Sequence, residues 1–377
     1  MKSFKINAVR LKEAISRLKE AYNSKSLLPV LQYMYVQVEN NKLTLTITDL
    51  STTISHELEI IGEVSFEMLL HYEDAKKICG YTDGDITVIS NYHSETDNEI
   101  IIKLEDSFSE FNLGIHPPIA DYPKLPEMPT KNPIQLNCTL IPTLNAALLC
   151  ASEDELRPAM THVLLDINPF EINVVATDSH ILFSRKIKHE VGINQQLLVS
   201  PKAIKAMDGF TQTVIAFTKK NIAFKCGPVT IITTQLEAQY PDFKAVIPQF
   251  NVSLSVGYGA FEDAINKSLF IKGGNEEASH TLFTFTDSDM HMKTNDLEKT
   301  KHVNVSLTVD RPAGADLPQI AFNPKNLKVL FAQLKVLGHK ETFNIQASIT
   351  SPIRAALFKI TEDDTLLFLA MPVMIQA

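Results

Sequence analysis

Self-similarity at a long period limits what this chain can fold into more than any other feature. A shift of 129 residues lays Pro29 of LLPVLQYMYV on Pro158 of LRPAMTHVLL. The same shift lays Thr48-Asp49 on Thr177-Asp178, His71 on Ser200 and Lys76 on Lys205, without a gap. A third copy repeats the strand-then-Thr-Asp pattern in TLFTFTDS, with Thr286-Asp287, and repeats VSPKAIKAM as FNPKNLKVL. There Asn323-Pro324-Lys325 fall on Ser200-Pro201-Lys202. The Thr-Asp precedes this second cap by 23 residues in copies one and two and by 37 in copy three, an insertion of about fourteen. The signature DYPKLPEMP at 121–129 returns as QYPDFKAVIP at 239–248. Three like units are expected, over 1–126, 127–250 and 251–377.

Each unit reads as two helices and several strands. Asn7 is the expected cap of a first helix whose buried stripe is Leu11, Ala14, Ile15, Leu18 and Tyr22, at helical spacing. KLTLTITD alternates with period two, with Leu43, Leu45 and Ile47 on one face and threonines on the other. The second helix opens with Ser-Pro in copy two and Asn-Pro in copy three, a capping residue followed by proline at the first helical position. Gly338 is expected to stop it in copy three. Two helices on an antiparallel sheet make a two-layer α+β unit, and three such units can join their sheets edge to edge.

The bulk numbers fit several domains. The 377 residues exceed what one hydrophobic core usually serves. With 45% hydrophobic and 21% charged residues the chain has a globular composition. The net charge of −9 discourages indiscriminate nucleic-acid binding without excluding a local basic stripe. Cys79, Cys138, Cys150 and Cys226 form no CxxC pair, so reduced thiols of a cytoplasmic protein are expected rather than zinc or disulfides. The longest apolar run, Leu366 to Ile375, is about half a membrane span and holds Pro372, so no membrane partner is expected.

Basic residues recur with the repeat. Arg10 and Arg17 stand seven apart on the first helix. Lys76, Lys205 and Lys328 are equivalent on the second helices; Lys202 matches Lys325, copy one has Glu73 there, and Lys335 extends the stripe in copy three. Cations repeated in register suit a polyanion held by phosphate contacts, which carry no sequence information.

The segments LLPVLQ at 27–32, KLTLTITDL at 42–50, ELRPAMTHVLL at 155–165, VVATDSHIL at 174–182, YPDFKAVIP at 240–248 and LAMPVMI at 369–375 resemble the bacterial sliding clamps, the DNA polymerase III beta subunits, across the whole chain. The resemblance implies the DNA-clamp fold, a half ring of three like domains per chain, and a head-to-tail homodimer around duplex DNA. It implies a non-catalytic processivity factor without cofactors, whose partners are DNA, the polymerase catalytic subunit, the clamp loader and other proteins with clamp-binding motifs. It places a pocket for partner peptides at Met160, Thr177, Ser179, His180, Ile181, Leu182, Pro241, Ala245 and Val246, completed by Ala370, Met371, Pro372, Val373 and Met374. Lys25, Arg157, Lys202 and the helix cations would face DNA. Phe111 and Leu113 of one chain would meet Phe270 and Ile271 of the other.

This chain departs from many members of that family by Ser179 and Ile181 in place of Gly and Arg. Pro158 and Ala159 replace the aromatic residues of some clamps, the arginine often found near the end is lacking, and the first helix of copy two, LIPTLNAALLCA, has no basic residue. That bare helix motivates a second reading, a clamp-like scaffold or decoy of a phage or mobile element with weakened DNA contact. An enzyme is the third. Asp178-Ser179-His180 could suggest a hydrolase, but no GxSxG elbow accompanies it and Thr-Asp recurs at Asp49 and Asp287 without Ser-His. The Thr-Asp pairs are better read as turns whose Asp accepts backbone N–H groups. No HExxH, Walker A or GxGxxG pattern occurs.

Overall fold

The computed structural model describes residues 2–374 apart from 61–64, 95–96, 107–108, 130–132, 137, 191, 249–252, 272–279, 297–300, 313–316, 340–342 and 362. The last three residues of the expected tail, Ile375, Gln376 and Ala377, therefore lie outside the described part.

Among the described residues there are six α-helices: α1 Ala8–Arg17, α2 Tyr72–Ile78, α3 Leu140–Leu148, α4 Pro201–Ala206, α5 Tyr258–Ser268 and α6 Pro324–Val336. They fall two to each repeat copy. Helices α2, α4 and α6 begin one residue after His71, Ser200 and Asn323, so the sequence register is kept by the backbone.

The caps follow the residues. Asn7 accepts from the N–H groups of Val9 and Arg10 at 3.1 and 3.4 Å, and Asn323 from that of Lys325 at 2.9 Å. At the other end of α6, Gly338 takes φ +77°, its N–H donates to Lys335 O and the N–H of His339 reaches back to Leu334 O. That pairing is the glycine-terminated Schellman stop, and it needs a residue without a Cβ penalty. On α1, Leu11, Ala14 and Ile15, and at its C-cap Leu18, are fully buried, each large member contributing roughly 1.5–3 kcal/mol of transfer free energy. Tyr22 is only half-buried and stacks on Tyr72.

The chain divides into two compact units, residues 1–141 with 202–235 and residues 142–201 with 236–377. The first holds an eight-stranded antiparallel sheet in the order Phe66–His71, Tyr33–Glu39, Lys42–Thr48, Thr52–Glu59, Val229–Thr234, Asn221–Cys226, Thr213–Phe217, Ile134–Leu136. Its seam is the pairing of Thr52–Glu59 with Val229–Thr234, which joins copy one to copy two edge to edge. A four-stranded sheet, Lys2–Asn7, Asp85–Ser94, Asp97–Leu104, Ser109–Ile115, completes this unit.

The second unit repeats the plan. Its eight strands run Gln195–Val199, Val163–Ile167, Glu171–Thr177, Ile181–Lys188, Asp363–Ala370, Ala356–Ile360, Asn344–Ser348, Ser253–Gly257. Its four run Lys301–Thr308, Asp289–Asp296, Thr281–Phe285, Ile320–Phe322. Helices α5 and α6 close the core through Phe331, whose ring meets Tyr258 and Phe261 edge to face at 5.4 and 5.5 Å. The chain is α+β, as its repeat and its period-two and helical patterns predict.

Candidate partner-binding cavity and basic helix faces

The Thr-Asp turns set up the first candidate site. Asp178 accepts from the N–H groups of His180 and Ile181, both at 2.8 Å, and Thr177 Oγ1 accepts from Ser179 N at 3.1 Å. Asp49 does the same for Ser51 and Thr52 at 2.9 and 2.7 Å, and Thr48 for Leu50 at 3.1 Å. Both carboxylates accept backbone N–H groups, as the turn reading expects. The tightness of the turn forces Leu50 to φ +74° and Ser179 to φ +78°, a region that favours glycine. Copy three differs: Asp287 is exposed and paired with Arg311 at 2.8 Å, and Thr286 accepts from the N–H of Asp289.

In the second unit this turn forms one wall of an apolar cavity of about 230 Å³. Of the expected peptide-pocket residues, Met160, Thr177, Ser179, His180, Ile181, Leu182, Pro241, Val246 and Met371 line it. Asp242, Phe243, Ala355 and Leu369 line it too, without having been singled out. Two of these were within reach: Asp242 and Phe243 lie inside the recurring boundary signature, where Asp242 caps the short turn Phe243–Val246. Five expected residues stand elsewhere. Ala370 is fully buried in the sheet, paired with Ile181 and Ala356. Ala245, Pro372, Val373 and Met374 lie off the lining. The tail is tied down at two places: Met371 N–H donates to His180 O at 2.7 Å, and Val373 N–H to Ala321 O at 2.8 Å. Val246 and Met371 leave apolar surface at the rim, 51% and 39% exposed. An apolar hole with a few backbone polar groups at its edge suits an aliphatic or aromatic anchor of a short peptide, and methionine walls repack around different anchors.

The basic residues divide by what they already touch. Arg10, Lys25, Lys205 and Lys328 are exposed and have no partner among the described residues. Others are engaged. Lys76 is half-buried over the Tyr72 ring, Lys335 pairs with Glu262 at 2.6 Å, and Arg157 contacts Asp154 at 3.8 Å and Ser179 Oγ at 3.2 Å. Lys325, exposed on the first turn of α6, lies beside its cap. Lys202 is held by Asp49 in a close ion pair. Burial raises the Asp49 carboxyl, but the Lys202 ammonium and the Thr52 N–H outweigh it and hold the group below its ordinary value. Lys202 is thus the cation least free to meet a phosphate.

Two strand edges form the third candidate surface. Ser109–Ile115 is an edge of the first unit's four-stranded sheet and Lys301–Thr308 an edge of the second unit's. Among the described residues no strand pairs with the outer side of either, and such edges invite β-strand addition. Phe111 stacks on Tyr81, itself 67% exposed, at 5.8 Å, and Leu113 is half-buried. Phe270 is 74% exposed, whereas Ile271 is buried in its own chain. Of that expected pair, Phe270 is the one that can reach another molecule. Among the described residues no three His, Cys, Asp or Glu side chains come together as a metal site, the cysteines are unpaired, and no helix is long and apolar enough to cross a membrane.

Comparison with known proteins agrees with this architecture. Residues 137–242 match the family described as the DNA polymerase III beta subunit, central domain. Over 370 residues the chain is 24% identical to the beta sliding clamp of Staphylococcus epidermidis and 25% identical to that of Staphylococcus aureus, with 94% of each chain covered. The fold superposes on the DNA polymerase sliding clamp of Bacillus subtilis with a TM-score of 0.89, at 22% identity over 100% of both chains. For the DNA polymerase beta subunit of Streptococcus pyogenes the TM-score is 0.88, at 22% identity over 99% of this chain and 100% of that one.

Proposed function

We propose, from the premise that this chain belongs to the bacterial sliding-clamp family of DNA polymerase III beta subunits, that it is a non-catalytic processivity factor closing around duplex DNA as a head-to-tail homodimer. The observation that carries the reading is the pair of strand edges, Ser109–Ile115 and Lys301–Thr308. One edge from each of two chains can extend a sheet across a heterologous contact, with Phe111, Leu113 and Phe270 beside it. Two such contacts close a ring with nothing left over. In this reading the three repeats, 1–126, 127–250 and 251–377, are the clamp domains.

Closure explains the charge distribution. A ring held on DNA by topology needs only weak, sequence-independent phosphate contacts, which Arg10, Lys25, Lys205 and Lys328 are free to make on a body of net charge −9. The apolar cavity then takes the anchor side chains of the polymerase catalytic subunit, the clamp loader and other partners, all in the cytoplasm.

The test is mass and retention together. Light scattering is expected to give twice 42.1 kDa. After loading on nicked circular DNA the protein is expected to stay through a wash at raised salt and to leave when the circle is cut. A stable monomer, or retention indifferent to linearisation, would overturn the proposal.

A further inference from the structure

On the second unit's eight-stranded sheet, one face carries two different surfaces end to end. Strand Ile181–Lys188 sends alternate side chains to that face: Leu182 into the apolar cavity, then Ser184, Lys186 and Lys188 into a neighbouring groove of about 560 Å³. The flanking strands run the same way. Thr177 lines the cavity and Asn173 and Glu171 the groove; Leu369 lines the cavity and Leu367 and Thr365 the groove. The registers Thr177↔Leu182↔Leu369 and Glu171↔Lys188 fix this order. Between the two surfaces lies Phe243, which lines both and packs with Leu164, Val175 and Leu357.

The groove has the opposite charge to the protein as a whole. Lys186, Lys188, Lys244 and Lys359 line it against Glu171 and Asp364. Lys186 is paired with Glu171 at 3.4 Å, and Lys244 with Asp166 at 3.1 Å. Exposed Lys188 and half-buried Lys359 carry no ion pair among the described residues. Six residues of strand, about 20 Å, separate Leu182 from Lys188, the reach of five or six residues of extended peptide.

We infer that this groove receives an acidic flank of the same partner peptide whose apolar anchor fills the cavity, so that carboxylates a few residues from the anchor select among partners. The inference rests on the peptide-cavity reading above. Peptide is favoured over DNA as the occupant because the groove continues the cavity past a shared wall, and a chain leaving the cavity on that side enters it.

Fluorescence anisotropy with synthetic peptides tests this on the full chain. Each peptide carries a leucine-phenylalanine anchor with three glutamates or three glutamines, placed before or after it. At low salt one glutamate placement is expected to bind about three- to tenfold tighter than its glutamine counterpart, the size of a few exposed ion pairs. The gain is expected to shrink with added salt and to vanish in K186Q/K188Q/K359Q, which still binds the glutamine peptides as before. Equal affinities for glutamate and glutamine peptides, or a gain that survives in the triple variant, would overturn the inference and leave the cavity intact. Loss of DNA retention in that variant with peptide discrimination unchanged would overturn it in favour of a DNA contact. Failure of every peptide to bind would sink the cavity reading and the inference with it.

Discussion

In one compact unit strand Thr52–Glu59 pairs antiparallel with Val229–Thr234; in the other Ile181–Lys188 pairs antiparallel with Asp363–Ala370. The 129-residue repeat puts His56 of the first seam in the place of Arg185 in the second, and Arg17 in the place of Ala146. Around the first seam α4 has six residues and the chain turns away at Gly209, φ +81°. What results is an open groove of about 740 Å³ whose lining includes Lys12, Arg17, Lys19, Lys205 and His56. Arg17 lies over the Phe210 ring at 4.9 Å and donates to Asp208 O at 2.8 Å.

Around the second seam α6 has thirteen residues, and its extra turns fill the corresponding space. Gln333 is buried there and donates to Ala146 O at 3.2 Å and to Cys150 Sγ at 2.9 Å. Helix length thus decides whether a seam is wet and charged or dry. It also bears on the bare helix of copy two. On α3, Ile141 and Ala146, the register equivalents of Lys12 and Arg17, are buried, as are Leu144 and Ala147. Burial explains the missing cations at those two positions, but not at exposed Thr139, the register equivalent of Arg10.

The largest effect should come from forcing the first seam's residue into the second. Ala146→Arg would bury an unpaired guanidinium in a filled seam, costing roughly 4 kcal/mol or more. Urea unfolding followed by circular dichroism should show the midpoint collapse or no folded protein. A midpoint like that of the parent would mean that the second seam opens as readily as the first.

Next in size is the ion pair that replaces His56. Arg185 meets Asp363 at 3.3 Å with side chains 19% and 15% exposed, and His339 stands 3.7 Å from the same oxygen. Asp363→Asn leaves that guanidinium half-buried without its countercharge, a loss of roughly 2–3 kcal/mol in the denaturant midpoint. An unchanged midpoint would mean that water already screens the pair, and the contrast between a wet and a dry seam would fail.

Much of this was legible in the sequence because repeats constrain each other. Helix starts, caps, the Gly338 stop and the Thr-Asp turns are local matters in which the residue type decides the backbone. The turn at Asp287 escaped because its carboxylate goes to Arg311, twenty-four residues away, a contact that no local pattern encodes. The cavity was legible only as a set of segments. Phe243 and Ala355 line it from two distant segments, and Pro372 to Met374 lie off its lining, with Val373 N–H bonded to Ala321 O. The lysine groove was invisible for the same reason: Lys186, Lys188, Lys244 and Lys359 come from three separated segments and meet only on a sheet face.

The first seam should also respond to acid. Burial holds the His56 imidazole below its ordinary value of 6.5; the nearby Arg17 and Lys225 cations act the same way, and Glu57 acts against them. The unfolded chain therefore takes up the proton more readily than the folded one. Stability from neutral His56 is full above about 6.5 and is lost as pH falls from there through the folded-state value. His116, His162 and His339 are lowered by burial as well, so all four add to acid sensitivity. His56→Gln should flatten the fall of melting temperature between pH 7.5 and 5.5 without abolishing it. An unchanged slope would show that His56 stays neutral, or equally hydrated, in both states.

The smallest stability effect belongs to Arg17→Ala, and it tests the comparison most sharply. Arg17 is the register equivalent of Ala146, so the variant gives the first seam the second seam's residue without the long helix that makes it dry. Its cation–π contact and its hydrogen bond sit at an exposed site, where together they contribute at most about 1 kcal/mol. A denaturant midpoint within that margin is expected, and a larger loss would mean that Arg17 holds α1 against α4 as Gln333 holds α6 against α3. Retention on DNA should move instead. If Arg17 reaches a phosphate, the variant loses close to one unit of salt slope when held on circular DNA, at any sequence tested. A normal midpoint with an unchanged salt slope would leave the first seam's groove open to water without a part in holding DNA.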